Sequence, residues 1–192
     1  MNKSAPQTDS GASPARRRLL DTATRLFYAE GIRGVGIDRI IAEAGAAKAT
    51  FYNHFPSKDD LVLAYIEEQD QLGRKAVSEL PKQPPRQTIT AIFGRISAAV
   101  VGEDYRGCPF LNAAAEYPDA KSPVRQAIKA QRAWFHAVFS KLLVADGDAA
   151  PSATASLLVA LYDGVLETAY LDDSARIPAL VEEALGRLLA QR

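Results

Sequence analysis

From Leu19 to Leu189 the apolar residues recur at spacings of three and four, and no stretch alternates apolar with polar. A helix returns a side chain to the same face every 3.6 residues, a strand every two, so this period limits the chain to helices. Leu19, Leu20, Ala23, Leu26 and Phe27 form one such face, and Ile37, Ile40, Ile41 and Ala44 a second. Ile89, Ile92, Phe93, Ile96 and Val100 form another, followed by Val124, Ile128, Trp134, Phe135, Val138, Leu142 and Leu143. Gly31 with Gly34, Gly45, Pro56-Ser57 and Pro118-Asp119 break the pattern, as do "GEDYRG" (102–107), "ADGDAAPS" (145–152) and "DDSARIP" (172–178). "PKQPPRQT" (81–88), with three prolines, is unfit for a helix interior. No β-hairpin dipeptide joins two alternating runs and no internal repeat is visible. The expectation is all-α with about nine helices. Residues 1–13, rich in Ser, Ala, Pro, Asp and Gln without a period, are expected to be a disordered tail.

Composition narrows the function classes. The 192 residues include one cysteine, Cys108, so an internal disulfide and a Cys-based zinc site are both excluded. The polar N-terminus lacks a signal-peptide core, and the longest uncharged run, 149–162, is too short for a membrane span. A soluble, cytoplasmic protein without membrane contact is therefore expected. The two histidines, His54 and His136, sit in no H-E-x-x-H, and neither a G-x-S-x-G elbow nor a Walker loop is present. No enzyme activity, metal or cofactor is expected. The net charge of zero conceals an asymmetry: residues 1–58 carry nine Lys/Arg against five Asp/Glu, leaving the remainder acidic. A basic end on an acidic body points toward a polyanion partner.

The most informative segment is 37–58, "IDRIIAEAGAAKATFYNHFPSK". Two short helices joined by a Gly-containing turn outline a helix-turn-helix. The second of them must fit a groove about 12 Å wide and offer donors near its start. Lys48 and Thr50 stand there, and Tyr52, Asn53 and His54 follow within a turn. Tyr52 suits a phosphate or a thymine methyl, and Asn53 suits a base edge. Phe51 and Phe55, four apart, are expected to anchor the helix from behind. Lys58, Arg39 and the run Arg16-Arg17-Arg18 supply charge for phosphates. The competing reading is a small helical core, with Tyr52 and His54 capping it and a solvated arginine run.

This segment resembles the TetR family of bacterial repressors over about residues 14–66. Phe27, Gly31, Ile40, Ala44, Gly45, Thr50, Tyr52, His54, Phe55, Lys58 and Leu61 follow the family signature in order and without gaps. The resemblance implies a three-helix DNA-binding head at 14–60 and a larger ligand-binding and dimerising body at 61–192. It also implies a homodimer on a palindromic double-stranded DNA operator, released by a small-molecule inducer. On that pattern Lys48, Thr50, Tyr52, Asn53, His54 and Lys58 take the recognition-helix and phosphate positions. Gly36 and Ala47 stand where members usually have hydroxyl caps, and Ile41 where they usually have alanine.

The body has no motif as sharp. The resemblance implies an inducer pocket, for which Phe93, Cys108, Phe110, Asn112, Glu116, Trp134, Phe135, His136 and Tyr162 are candidates, each with core packing as the rival. The mix favours a modest, partly aromatic or lipophilic ligand. Cys108 at a helix start, two residues after Arg106, has the setting of a reactive thiol, so an electrophile sensor is a second reading. A ligand-binding adaptor that no longer contacts DNA is a third. The last two helices, near 153–170 and 177–190, have broad apolar faces. Leu157, Leu161, Val165, Leu180, Leu185 and Leu188 are the expected dimer contacts.

Overall fold

The computed structural model describes residues 13–102 and 104–190. The tail expected over 1–13 lies outside them except for Ser13. The described residues are all-α: α1 Pro14–Glu30, α2 Ile37–Glu43, α3 Lys48–His54, α4 Lys58–Ser78, α5 Pro85–Ala99, α6 Pro109–Glu116, α7 Pro123–Asp146, α8 Pro151–Leu171 and α9 Ile177–Ala190. A 3₁₀ turn, Ser174–Arg176, precedes α9. The chain divides into two compact units, 1–65 and 66–192, with the division inside α4.

Local chemistry sets the helix starts. Proline is harmless in a first turn, where its missing N–H has no partner to lose. Pro14, Pro85, Pro109, Pro123 and Pro151 all stand there. The proline-rich stretch at 81–88 therefore stops short of excluding helix: Pro84 is a cap and α5 begins at Pro85. For the same reason α8 starts at Pro151, inside a stretch expected to be loop. Ser13 and Ser122 cap α1 and α7, their hydroxyls accepting from the N–H of Arg16 and Arg125. Ser57 caps α4, accepting from the Asp60 N–H at 3.2 Å.

In the first unit Leu19, Leu26, Ile40, Phe51 and Leu61 are fully buried. Each such side chain stabilises the unit by about 1.5–3 kcal/mol. The second unit packs α7 against α5, α6 and α8, and α9 against α5 and α8. Its core holds Phe93 stacked on Phe139 at 5.7 Å, with Phe135 against Phe139 at 4.6 Å and Tyr162 at 4.8 Å. Two ion pairs tie its elements: Arg86 to Asp146 at 2.9 Å, and Arg132 to Asp163 through two hydrogen bonds of 2.7 and 2.8 Å.

Candidate nucleic-acid interface

The turn between α2 and α3 is set by Gly45, whose φ of +60° is costly for residues with a Cβ. The N–H groups of Gly45 and Ala46 donate back to the carbonyls of Ala42 and Ile41, closing α2. Seven residues of α3 follow, with Phe51 fully buried and Phe55 nearly so, their ring centroids 6.1 Å apart. These two rings fix the helix from behind. The opposite side presents Lys48, Tyr52 and Asn53 to solvent, with Thr50 half-buried. Tyr52 is 43% exposed, although its ring rests edge-on against Phe51 at 5.2 Å. Lys48 Nζ lies 3.3 Å from Asp38 of α2 with both side chains exposed. α2 and α3 start on Gly36 and Ala47 without a side-chain cap, so their first N–H groups are left for other acceptors.

Two of the expected DNA-contact residues, Arg39 and His54, also bond within the head. Arg39 donates to Glu30 at 2.5 and 2.8 Å and to Glu43 at 2.8 Å, while Arg25 also holds Glu43 at 2.5 Å. At Arg39, where a phosphate contact is expected, the fork joins α1 to α2 while the side chain stays 45% exposed. Hydrogen bonding to Arg39 holds Glu30 below the 4.5 of an ordinary glutamate, and bonds to Arg25 and then Arg39 do the same for Glu43. Depressed carboxylates stabilise the fold above their unfolded value and lose that stabilisation as pH falls through the folded one. The head should thus melt lower on acidification below about 4.5. Arg39→Gln is expected to lower the melt near pH 7, shrink this acid dependence and do so less at high salt. An unaltered pH profile of the melt would show that the network is idle.

His54 is likewise turned inward. Ser13 Oγ accepts from the Arg16 N–H at 3.2 Å and lies within hydrogen-bond distance, 3.0 Å, of His54 Nε2. At His54, where a DNA contact is expected, the half-buried ring ties the end of α3 to the start of α1. Arg16 sits over the Phe55 ring at 5.0 Å, Arg17 pairs with Asp21, and Lys58 Nζ lies 6.0 Å from the Phe27 ring. Arg18, the last of the arginine run, donates through Nε to the Ala44 carbonyl at 3.5 Å, at the end of α2.

In the body, Trp134 is half-buried, with Arg74 of α4 over its ring at 4.5 Å and Phe135 stacked at 5.9 Å. Phe93 and Phe110 are buried, and Glu116 is half-buried. Asn112 is exposed and donates to the Arg106 carbonyl at 2.8 Å, bracing the preceding loop rather than facing an enclosed space. His136 Nε2 lies 3.2 Å from both the Ser152 carbonyl and Ser156 Oγ, linking α7 to α8. Burial foremost, then the neighbouring Cys108 thiol and Asp163 carboxylate, push the Tyr162 phenol well up from its ordinary value.

Cys108 sits as the core-packing rival has it. It is 1% exposed, and burial pushes its thiol up, against weaker lowering by the backbone N–H groups at the start of α6. Arg106 lies over the Tyr170 ring at 5.4 Å. A thiol so placed is held protonated and shielded near neutral pH. Iodoacetamide at pH 7.5 should label Cys108 far more slowly in the folded protein than in urea, by about 10²-fold or more. Equal rates would restore the sensor reading.

The expected dimer contacts separate by burial. Val165 and Leu185 are buried within the subunit, Leu185 as part of the lining of a groove between α5 and α9. Leu157 and Leu180 are exposed, and Leu161 and Leu188 half-buried.

A short helix offered outward from a fixed turn, on a small unit joined by one helix to a helical body, defines a helix-turn-helix DNA-binding regulator. Residues 19–65 match the family described as bacterial regulatory proteins, tetR family. Residues 85–185 match the tetracyclin repressor-like C-terminal domain. The chain is similar to the HTH-type transcriptional regulator LmrA of Bacillus subtilis, 32% identical over 67% of this chain and 71% of that one. It is similar to the HTH-type transcriptional repressor DhaR of Mycobacterium sp. at 24% identity, over 80% of this chain and 81% of the other. Among solved structures it resembles SCO4454, a TetR-family transcriptional regulator of Streptomyces coelicolor, at 41% identity and a TM-score of 0.86, covering 92% of this chain and 94% of that one. The chain belongs to the TetR family of transcriptional regulators. Members of this family bind DNA and act as dimers with small-molecule ligands. No helix among the described residues is long and apolar enough to cross a membrane.

Proposed function

We propose that this chain is a cytoplasmic repressor that holds a palindromic operator as a homodimer and leaves it when a small, partly apolar inducer enters the body. The observation carrying the reading is the two-sided α3: Phe51 and Phe55 anchored behind, and Lys48, Tyr52 and Asn53 offered in front. Asn53 is assigned to a base edge, Tyr52 to a phosphate or thymine methyl, and Lys48, Thr50 and Lys58 to phosphates, with Arg16 and Arg17 adding charge. Two copies are needed because one short helix reads few bases, and half-sites lie about 34–36 Å apart or a multiple of that. Leu157 and Leu180, with Leu161 and Leu188 beside them, are assigned to the interface.

The inducer is assigned to the space beside Trp134, Phe135 and Tyr162, with Phe110 and Cys108 as neighbours and Glu116 as a polar partner. α4 is one uninterrupted helix from Lys58 to Ser78, and Arg74 on it rests on Trp134. A ligand that displaces Trp134 thus acts on α4 and on the head it carries. By linkage the inducer must favour the form that DNA disfavours, and DNA must weaken inducer binding by the same factor.

A gel-shift on the DNA upstream of the chain's own coding region tests this. A dimer making about six to ten phosphate contacts loses roughly 10³ to 10⁵ in affinity between about 50 and 200 mM salt. Specific retardation with that steep salt dependence supports the reading. Absence of any shift at low salt leaves the ligand-binding adaptor in its place.

A further inference from the structure

α5 and α9 pack together and leave a groove of about 700 Å³ along their seam. Val181, Leu185 and Leu189 line it from α9, with Ala98 and Val101 on the other wall. Gly94 and Gly186 also line it, and a Cβ placed on either meets nothing within 4 Å. None of the side chains assigned to the inducer is part of it.

Within this apolar lining stands one unsatisfied polar group. Ser97 lines the groove, is 5% exposed, and its Oγ has no hydrogen-bond partner. Helical hydroxyls here usually satisfy themselves on the preceding turn: Thr90 Oγ1 donates to the Arg86 carbonyl at 3.1 Å, and Ser156 Oγ to the Ser152 carbonyl at 3.0 Å. Ser97 does neither, and an unpaired hydroxyl withheld from water is destabilising. A group supplied from the groove, met by a turn about the Ser97 χ1, removes that cost.

We propose that the α5–α9 groove is a second small-molecule site, taking a mainly apolar, uncharged molecule with one hydroxyl or carbonyl that pairs with Ser97. The volume lies within the roughly 300–1,000 Å³ of small-ligand pockets, and apolar walls with one placed polar group are their usual chemistry. An anion gains little, because Arg86 on the rim already donates to Asp146 through two nitrogens and Glu182 stands exposed on the other wall.

The test titrates octan-1-ol into the ¹⁵N-labelled full chain without DNA, so its outcome is separate from that of operator binding. Saturable amide shifts centred on Gly94, Ala98 and Gly186 are expected. Ser97→Ala should weaken octanol about fivefold to twentyfold with the melt unchanged or slightly raised. Gly94→Phe, at an exposed site with open space, should remove saturation without unfolding the body. Shifts that rise linearly, that centre on Trp134 and Tyr162 instead, or that are equally tight in Ser97→Ala overturn the proposal. So does a Gly94→Phe variant that sediments as a smaller species than the wild type, because a second copy would then be the occupant.

Discussion

Phe51→Ala is expected to abolish operator binding by unfolding the head while the body keeps its helices. Phe51 is fully buried, with its ring against Phe55 and Tyr52. Removing a buried phenyl ring costs about 3–5 kcal/mol, because the cavity it leaves collapses only in part. The head is the unit of residues 1–65, and a unit of that size holds only about 3–10 kcal/mol in total. The loss is therefore of the same order as the whole stability, and the recognition helix is attached to the core chiefly through this ring and Phe55. Circular dichroism should show a partial loss of helix at 37 °C, and amide spectra should lose dispersion for residues 14–65 and keep it in 85–190. Phe51→Leu, closer in volume, should cost about 1–1.5 kcal/mol and retain most binding. If Phe51→Ala stayed fully folded and still failed to bind, the ring would be a contact and the two-sided reading of α3 would be reversed.

The features legible in the sequence were those encoded within one or two turns. Ser122-Pro123 marks a helix start because the cap and the fixed φ act locally. Gly45 marks the turn because its φ is positive, and Phe51 with Phe55 share a face because they are four apart. What stayed hidden depends on partners distant in sequence. His54 finds Ser13 across 41 positions, so its inward turn had no local signal. Arg39 could have been read with Glu43, four residues on, but its bonds to Glu30 need α1 and α2 already packed. Cys108 shows two rules in competition: a helix start lowers a thiol and burial raises it, and only the fold reveals that burial wins. α8 and α9 are apolar on more than one face, so spacing alone did not separate buried Val165 and Leu185 from exposed Leu157 and Leu180. The unpaired hydroxyl of Ser97 was equally invisible, since a serine in an apolar helix normally bonds its own backbone.

Tyr52→Ala is expected to weaken operator binding about tenfold to a hundredfold, which is about 1.4–2.8 kcal/mol, while leaving the head folded. The residue is 43% exposed, so its truncation opens no cavity. Its edge-on contact with Phe51 limits the stability loss to about 0.5–1.5 kcal/mol, small beside that of Phe51→Ala. Tyr52→Phe separates the two chemistries available to the ring. If the hydroxyl meets a phosphate, Tyr52→Phe loses most of what Tyr52→Ala loses, on every sequence alike. If the ring meets a thymine methyl, Tyr52→Phe binds nearly as well as the wild type, and replacing that thymine by uracil costs the wild type its advantage. Lys48→Ala should behave as a phosphate contact does, weakening all sequences together and reducing the salt slope by about one unit per head. Its exposed pairing with Asp38 at 3.3 Å lies in high dielectric, so a phosphate can displace it at small cost. A melt that fell in step with affinity for both Tyr52→Ala and Lys48→Ala would place these residues in the core of the head, and the outward side of α3 would then have no assigned partner.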